Sequence, residues 1–353
     1  MIVYWLMFAI PALLAVILYQ SDRRFVLAAT MLVLAGFFFI MAFRENGGDY
    51  YTYNLFYEVF DGSPFGEVTD KTDFLYGATN WIAMQFDWGL YGVNAICAVI
   101  FLVSFYMFVR HEPYPLLSLA IAASYFIIVV AIGYTRQGVA AGLLLWGTVF
   151  LRQKKPWKYL ALQLLAIGFH TSAAFALIFI YFALNIRNVQ LKRVVFAGLL
   201  VFGVTSVLVL QADVFQRYMV GYVSDLDYYS SDGAAARLAL SWVAAATFFI
   251  VYKFWPQSDR KIWTAYALLS LLLIPILAIN STIADRLGLY VIALQIAVFG
   301  RLPMFGHTQV TRTFILLGTI AVYAAALGVW LELGNFAKVL WLPYQNYLFG
   351  VIP

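Results

Sequence analysis

Runs of roughly 15 to 20 apolar residues recur from one end of this chain to the other, and that recurrence limits its possible folds more than any motif does. A helix of about 20 residues spans the hydrocarbon of a bilayer. There, every backbone polar group must be satisfied within the protein, which leaves helices or a closed barrel. A barrel needs strands of about ten residues with alternating polarity, a pattern the runs do not follow. Residues are 64% hydrophobic and 11% charged, against about a quarter charged in soluble domains. The expectation is an all-α polytopic integral membrane helical bundle of about 12 transmembrane helices, a single domain over residues 1–353.

The expected spans are about 2–19, 25–43, 89–109, 115–132, 137–151, 158–170, 172–186, 194–211, 238–255, 262–279, 287–300 and 313–331. The first run has no basic leader and no small-residue cleavage site, so it reads as a retained span. The lone cysteine, Cys97, lies in an apolar run and excludes an internal disulfide. The net charge of +5 is explained by basic loops on one face, with no nucleic-acid partner expected.

Charge sorts the loops by face. Those after odd-numbered spans hold fifteen of the 22 lysines and arginines but only three of the 17 acids, Asp22, Glu112 and Asp259. The positive-inside rule makes this face cytoplasmic and puts both termini outside. Two outer loops are long, about 44–88 and about 212–236. In the first, "TDFLYGATNWIAMQFD" puts Phe74, Leu75, Ala78, Trp81, Ile82 and Gln85/Phe86 near one helical face, as an interfacial helix would. The short spans 158–170 and 172–186 read as a hairpin with His170 at its tip.

The outer face carries five arginines, and four sit at expected span ends. Arg44 closes the second span; Arg136, Arg237 and Arg286 open later ones. A cation at a helix N-terminus opposes the macrodipole by about 0.3–1 kcal/mol. Three such placements on the disfavoured side call for an anion, and N-terminal N–H groups with a guanidinium fork suit phosphate. Local pairing is the competing account: Asp285 adjoins Arg286, Asp232 is near Arg237, and Glu45 and Asp49 are near Arg44. Arg136, in "GYTRQGVA", has no acid nearby in sequence. "SDLD" at 224–227 has the form of a diphosphate-metal motif, but three letters also describe a solvated acidic loop. There is no zinc motif, Walker loop or dinucleotide fingerprint, and no metal or other cofactor is expected. Outer tyrosines and tryptophans, Tyr50, Tyr51 and Tyr344 among them, fit an interfacial belt or a sugar-binding surface.

"RENGGDYYTYN", "YTRQGVAAGLLL", "AIGFHTSAAFALI", the arginine of "AAARLAL", "DRLGLYV" and "LPYQNYLF" occur in that order. Together they resemble the EpsG-like branch of the Wzy-type bacterial polysaccharide polymerases. "GFHTSA" departs from the His-Pro or His-Tyr forms of that branch. The resemblance implies an inner-membrane glycosyltransferase acting at the periplasmic face. Its substrates, as donor and acceptor, would be oligosaccharide repeat units on undecaprenyl diphosphate, with a chain-length regulator as a further partner. Arg44, Asp49, Arg136, Gln137, His170, Arg237 and Arg286 would be site residues. Arginines can stabilise a diphosphate leaving group, and His170, Asp49 or Asp285 would accept or orient the acceptor's proton. A lipid-linked oligosaccharide transporter would instead show inverted repeats and charges in both leaflets. An O-antigen ligase would share the arginine chemistry, and an acyltransferase would leave the arginines unexplained.

Overall fold

The computed structural model describes residues 1–184 and 233–352, with short helical stretches between 189 and 201. The expected span at 194–211 and loop at 212–236, with Ser224–Asp227, fall largely or wholly outside the described residues. The other expected spans each coincide with helix: α1 (Ile2–Ile17), α2 (Arg23–Ala42), α6 (Gly89–Val109), α7 (Pro115–Ala122, continuing as a π-helix to Ala131), α8 (Thr135–Arg152) and α9 (Pro156–Phe169). Then come a 3₁₀ segment (Thr171–Phe179) running into α10 (Ile180–Ala183), α11 (Ala234–Ile250), α12 (Gln257–Ile279), α13 (Ser281–Gly288), α14 (Ala293–Arg301) and α15 (Gln309–Leu333). Three shorter helices, α3 (Tyr50–Phe60), α4 (Phe65–Asp70) and α5 (Phe74–Gln85), fill the first long loop.

By length and apolarity, α2, α6, α12 and α15 can each cross a membrane. The α13–α14 region, bent by 49°, is a fifth candidate if its two arms form one span. The sequence placed a span there at about 287–300. Instead the chain starts a short helix at Ser281, capped by the Asn280 side chain accepting from Ile283 N–H at 2.9 Å, and breaks after Val291. A further departure from an all-helical chain is the two-stranded hairpin of β1 (Tyr344–Asn346) and β2 (Gly350–Ile352) near the C-terminus.

The described residues form two compact units, Met1–Leu145 with Phe299–Pro353, and Trp146–Val298. In the first, α1, α2, α6 and α7 pack around a core dominated by Phe101, Phe105, Phe108 and Phe126. Gly142 of α8 lies against Phe101, where an added Cβ would come within 2.8 Å of the ring. Close approach of this kind replaces the hydrophobic drive that lipid does not supply. Helix α5 turns Tyr76, Gly77, Asn80, Ala83 and Met84 inward. Phe74, Ile82 and Phe86 are exposed, so the apolar face read from the sequence is the outward one.

In the second unit, Tyr159 donates to Ala176 O and Gln163 Nε2 to Ala173 O, pairing α9 with the 3₁₀ segment as an antiparallel hairpin. His170 stands at its turn, in extended conformation. Tyr266 of α12 stacks on Phe179 with ring centroids 3.9 Å apart and shares a 2.7 Å hydrogen bond with Thr148.

Ion pairs respect the two charge faces. Glu112 and Arg301, both in the basic set of loops, form a buried bidentate pair at 2.6 and 2.9 Å. Arg152 and Asp259, from the same set, meet at 2.9 Å. Arg136–Asp73 and Arg237–Asp285 join residues of the other set. Contacts of about 3 Å cannot cross hydrocarbon about 30 Å thick, so each pair reports that its partners share a face. Which face is cytoplasmic rests on the charge asymmetry alone.

Candidate functional site

The sequence-derived candidates divide between the two units. Arg44, Asp49, Tyr50, Tyr51, Arg136, Gln137 and Tyr344 belong to the first; His170, Arg237, Asp285 and Arg286 belong to the second.

In the first unit, α2 ends at Ala42 and the chain runs through "RENGGD" into α3. Gly47 has φ +129°, a conformation open to glycine and strained for other residues. The late aromatic segment is sewn onto this turn. Gly47 N donates to Leu340 O at 2.8 Å, Glu45 N to Gln345 O at 2.9 Å, and Asn46 Nδ2 to Trp341 O at 2.7 Å. Trp341 is buried and donates from Nε1 to Ile128 O. It lies over Gly133, where a Cβ would come within 2.2 Å of its ring. Tyr344 donates to Ile40 O at 2.8 Å, and burial pushes its phenol up to about 12. Tyr344 is thus a buried part of this seam, and of Tyr50, Tyr51 and Tyr344 it is Tyr51 that is exposed.

Arg44 differs most from expectation. It was expected to face substrate, yet it is 1% exposed. Its NH1 donates to Asn46 O at 3.0 Å, and NH2 donates to Thr135 Oγ1 at 2.6 Å and Asn94 Oδ1 at 3.3 Å. The Tyr50 ring lies 5.8 Å away. Neither Glu45 nor Asp49 pairs with it: Glu45 accepts from Tyr91, and Asp49 accepts from Tyr53 at 3.1 Å. Burial pulls the guanidinium below its ordinary value, and nearby tyrosines push the other way. The Tyr53 and Tyr76 phenols are themselves raised by burial, so they stay neutral and do not cancel the charge.

Arg136 is the second residue of α8, as expected. Distant in sequence, Asp73 reaches its NH1 at 3.1 Å, with Thr72 Oγ1 at 3.2 Å. The absence of a nearby acid in the sequence therefore did not mean an unpaired arginine. Asp73 is the N-cap position of α5, a usual place for a carboxylate. The guanidinium carbon sits 5.6 Å from both the Tyr53 and Tyr76 ring centroids. Its side chain is 29% exposed, while Nε is buried without a hydrogen-bond acceptor. Gln137, next in the helix, is half-buried.

In the second unit, Arg237 lies in the first turn of α11, as expected, and pairs with Asp285 through Nε at 2.7 Å and NH2 at 2.8 Å. This corrects the local pairing of Asp285 with Arg286. One helical step turns neighbours about 100° apart, and Asp285 faces α11 while Arg286 is exposed with no ion pair among the described residues. Arg286 does not open a helix either. It lies in the last turn of α13, where a cation favours the macrodipole. Asp232, the other proposed partner of Arg237, lies outside the described residues. His170 is half-buried, two residues before Ser172, whose hydroxyl shares a 2.6 Å hydrogen bond with Tyr290 just after α13. That contact brings the hairpin tip to the segment carrying Asp285 and Arg286.

Asp73, Asn94 and Thr135 were not singled out from the sequence, and Trp341 counted there only among the outer aromatics. Thr135 was legible beside Arg136, and Asp73 as a cap. Asn94, inside a span, carried no distinguishing signal, and the burial of Trp341 had none. Among the described residues no three His, Cys, Asp or Glu side chains gather to hold a metal ion.

No curated protein and no solved structure matches the chain. The profile of the EpsG family matches residues 27–346, from within α2 to the end of β1. That match takes in the arginine-bearing turn, the hairpin tip, the ion pairs of Arg136 and Arg237 and the aromatic seam, and by it the chain belongs to the EpsG family of Wzy-like polysaccharide polymerases.

Proposed function

We propose that this polymerase lengthens a glycan built from oligosaccharide repeat units on undecaprenyl diphosphate, at the periplasmic face of the bacterial inner membrane. The acceptor hydroxyl at the non-reducing end of a new lipid-linked unit attacks the anomeric carbon of the growing chain. The carbon–oxygen bond to the diphosphate breaks, and undecaprenyl diphosphate leaves with the electron pair. The hydroxyl proton passes to a base, for which His170 at the hairpin tip is the candidate. Asp285 is a weaker one, since both its oxygens hold Arg237. Asp49, which accepts from Tyr53, orients rather than abstracts.

The observation that carries the reading is the environment of Arg136. A part-exposed guanidinium 5.6 Å from the centroids of two adjoining tyrosine rings and bonded to one carboxylate through NH1 suits exchange of Asp73 for a phosphate oxygen. The second unit by itself offers Arg286 as an exposed cation and Arg237 at the edge of its pair. Arg44 has a supporting role: through Asn46 O it holds the turn that leads to Asp49 and Tyr50, and it ties that turn to Thr135 at the start of α8. Tyr51 offers a ring face for sugar.

The test is reconstitution. Purified protein with a lipid-linked repeat unit should give a ladder of longer lipid-linked glycans. Arg136→Ala and Arg286→Ala should each lower the rate by about 10²–10³ if their donors stabilise the leaving diphosphate. Asp73→Asn should keep the ladder, because it removes only a stand-in for phosphate. If both arginine variants retain full rate, the diphosphate assignment is wrong; full activity in His170→Ala removes it as the base.

A further inference from the structure

An apolar groove of about 520 Å³ runs between α1 and α2 in the first unit. Met7 and Phe37 are buried in its floor, while Leu6 and Ile10 on α1 and Leu32 on α2 are 44–76% exposed along its rims. Gly36 keeps it open, since a Cβ there would meet nothing within 4 Å. The groove follows α1 from Val3 to Leu14, a rise of about 17 Å, close to one leaflet of hydrocarbon about 30 Å thick. Its lining carries no charge, and the Tyr344 hydroxyl at its outer end already donates to Ile40 O. A polar headgroup therefore has nothing to bind inside it. A partner helix does not fit either. Counting the space open at its mouth, the groove holds about 1120 Å³, a section of about 65 Å² over that length, whereas an α-helix with its side chains fills about 80–110 Å². What fits is one hydrocarbon chain.

The outer end of the groove is continuous with the arginine-bearing turn. Tyr344 and Phe349 of the C-terminal hairpin line that end, and the same hairpin is bonded to the turn, Tyr347 N to Phe43 O at 2.8 Å and Glu45 N to Gln345 O at 2.9 Å. Arg44 then ties the turn to Thr135, the residue before Arg136. We propose that the groove binds the isoprenoid tail of the lipid-linked substrate, with its head-proximal isoprene units between α1 and α2 and its diphosphate leaving at the outer end. The identity of the lipid rests on the polymerase reading. Family membership does not imply the groove, because one wall, most of the way along α1, and Phe349 lie outside residues 27–346.

The experiment irradiates the full-length protein in phosphatidylglycerol nanodiscs with undecaprenyl phosphate carrying a diazirine on a head-proximal isoprene unit. Peptides of α1 or α2 should be labelled, and excess unlabelled undecaprenyl phosphate should remove the label where the same excess of phosphatidylglycerol does not. Gly36→Phe puts a ring into the groove without meeting the protein and should cut the label about tenfold; Gly36→Leu should cut it less. Gly318→Phe, at an exposed glycine of α15 with equally open surroundings, should leave it unchanged. In the reconstituted reaction Gly36→Phe should raise KM for the lipid-linked unit about tenfold with kcat held, the mark of lost uniform binding. Label outside α1 and α2, label indifferent to both Gly36 variants, or label competed equally by phosphatidylglycerol would each overturn the groove. The expected labelling in a protein that makes no glycan would instead support the groove and reject the polymerase reading.

Discussion

Replacing Glu112 with Gln tests the most deeply buried ion pair in the described residues. Glu112 and Arg301 have side-chain exposures of 0% and 3%, so solvent screening offers no discount. The pair is bidentate, Nε to Oε2 at 2.6 Å and NH2 to Oε1 at 2.9 Å. Two unit charges about 4 Å apart at an effective dielectric of about 20 attract by about 4 kcal/mol, and breaking a buried pair from one side costs about 3–5 kcal/mol. The loop also has main-chain support. Arg23 donates to the main-chain oxygens of Arg110 and Glu112 at 2.6 and 3.2 Å and remains to hold it. Glu112→Gln should therefore destabilise by about 3–5 kcal/mol through the stranded Arg301 charge. If the loss falls on the unfolding limb, inactivation in detergent accelerates by about 10²–10⁴, read from tryptophan fluorescence at fixed temperature. Glu112→Leu with Arg301→Leu should recover most of it, because neither charge is then left alone. A single variant within about 0.5 kcal/mol of the parent, or a double variant as damaged as the two losses added, would refute the reasoning.

Sidedness is open to cysteine labelling. With Cys97 replaced by Ala, an impermeant maleimide should label Lys71→Cys in spheroplasts and Lys154→Cys only after permeabilisation; the reverse would invert the topology. Gly133→Ala should cost about 1–3 kcal/mol by driving a methyl into Trp341, whereas Gly36→Ala, which meets nothing within 4 Å, should melt like the parent. Asp285→Asn should lower both stability and polymerisation. If exchanging the two residues, Arg237→Asp with Asp285→Arg, restores melting without activity, the pair acts on substrate as well as on the fold.

Much of this molecule was legible before any coordinates. Span positions follow from transfer of side chains into hydrocarbon, a property of each segment by itself, and α6 falls where its apolar run does. The sorting of loop charges anticipated which residues share a face, because ion pairs such as Arg152–Asp259 form only within one. Arg44, Arg136 and Arg237 sit near helix ends because a guanidinium is tolerated where hydrocarbon stops. What each arginine touches was not legible. Asp73 meets Arg136 across 63 residues, and Asp285 faces Arg237 and not its own neighbour.

Local chemistry thus determined that the chain is a helical membrane protein, where its charged ends lie, and which residue types gather on each face. Tertiary structure alone decided that Arg44 is buried behind Asn94 and Thr135, that Arg136 lies against the Tyr53 and Tyr76 rings, and that Tyr4 closes onto Trp341 across 337 residues. Hydropathy and charge act through the solvent around each segment and can be read one segment at a time. Partner choice among buried polar groups depends on which segments pack together, and that is settled only when all of them compete for the same interior.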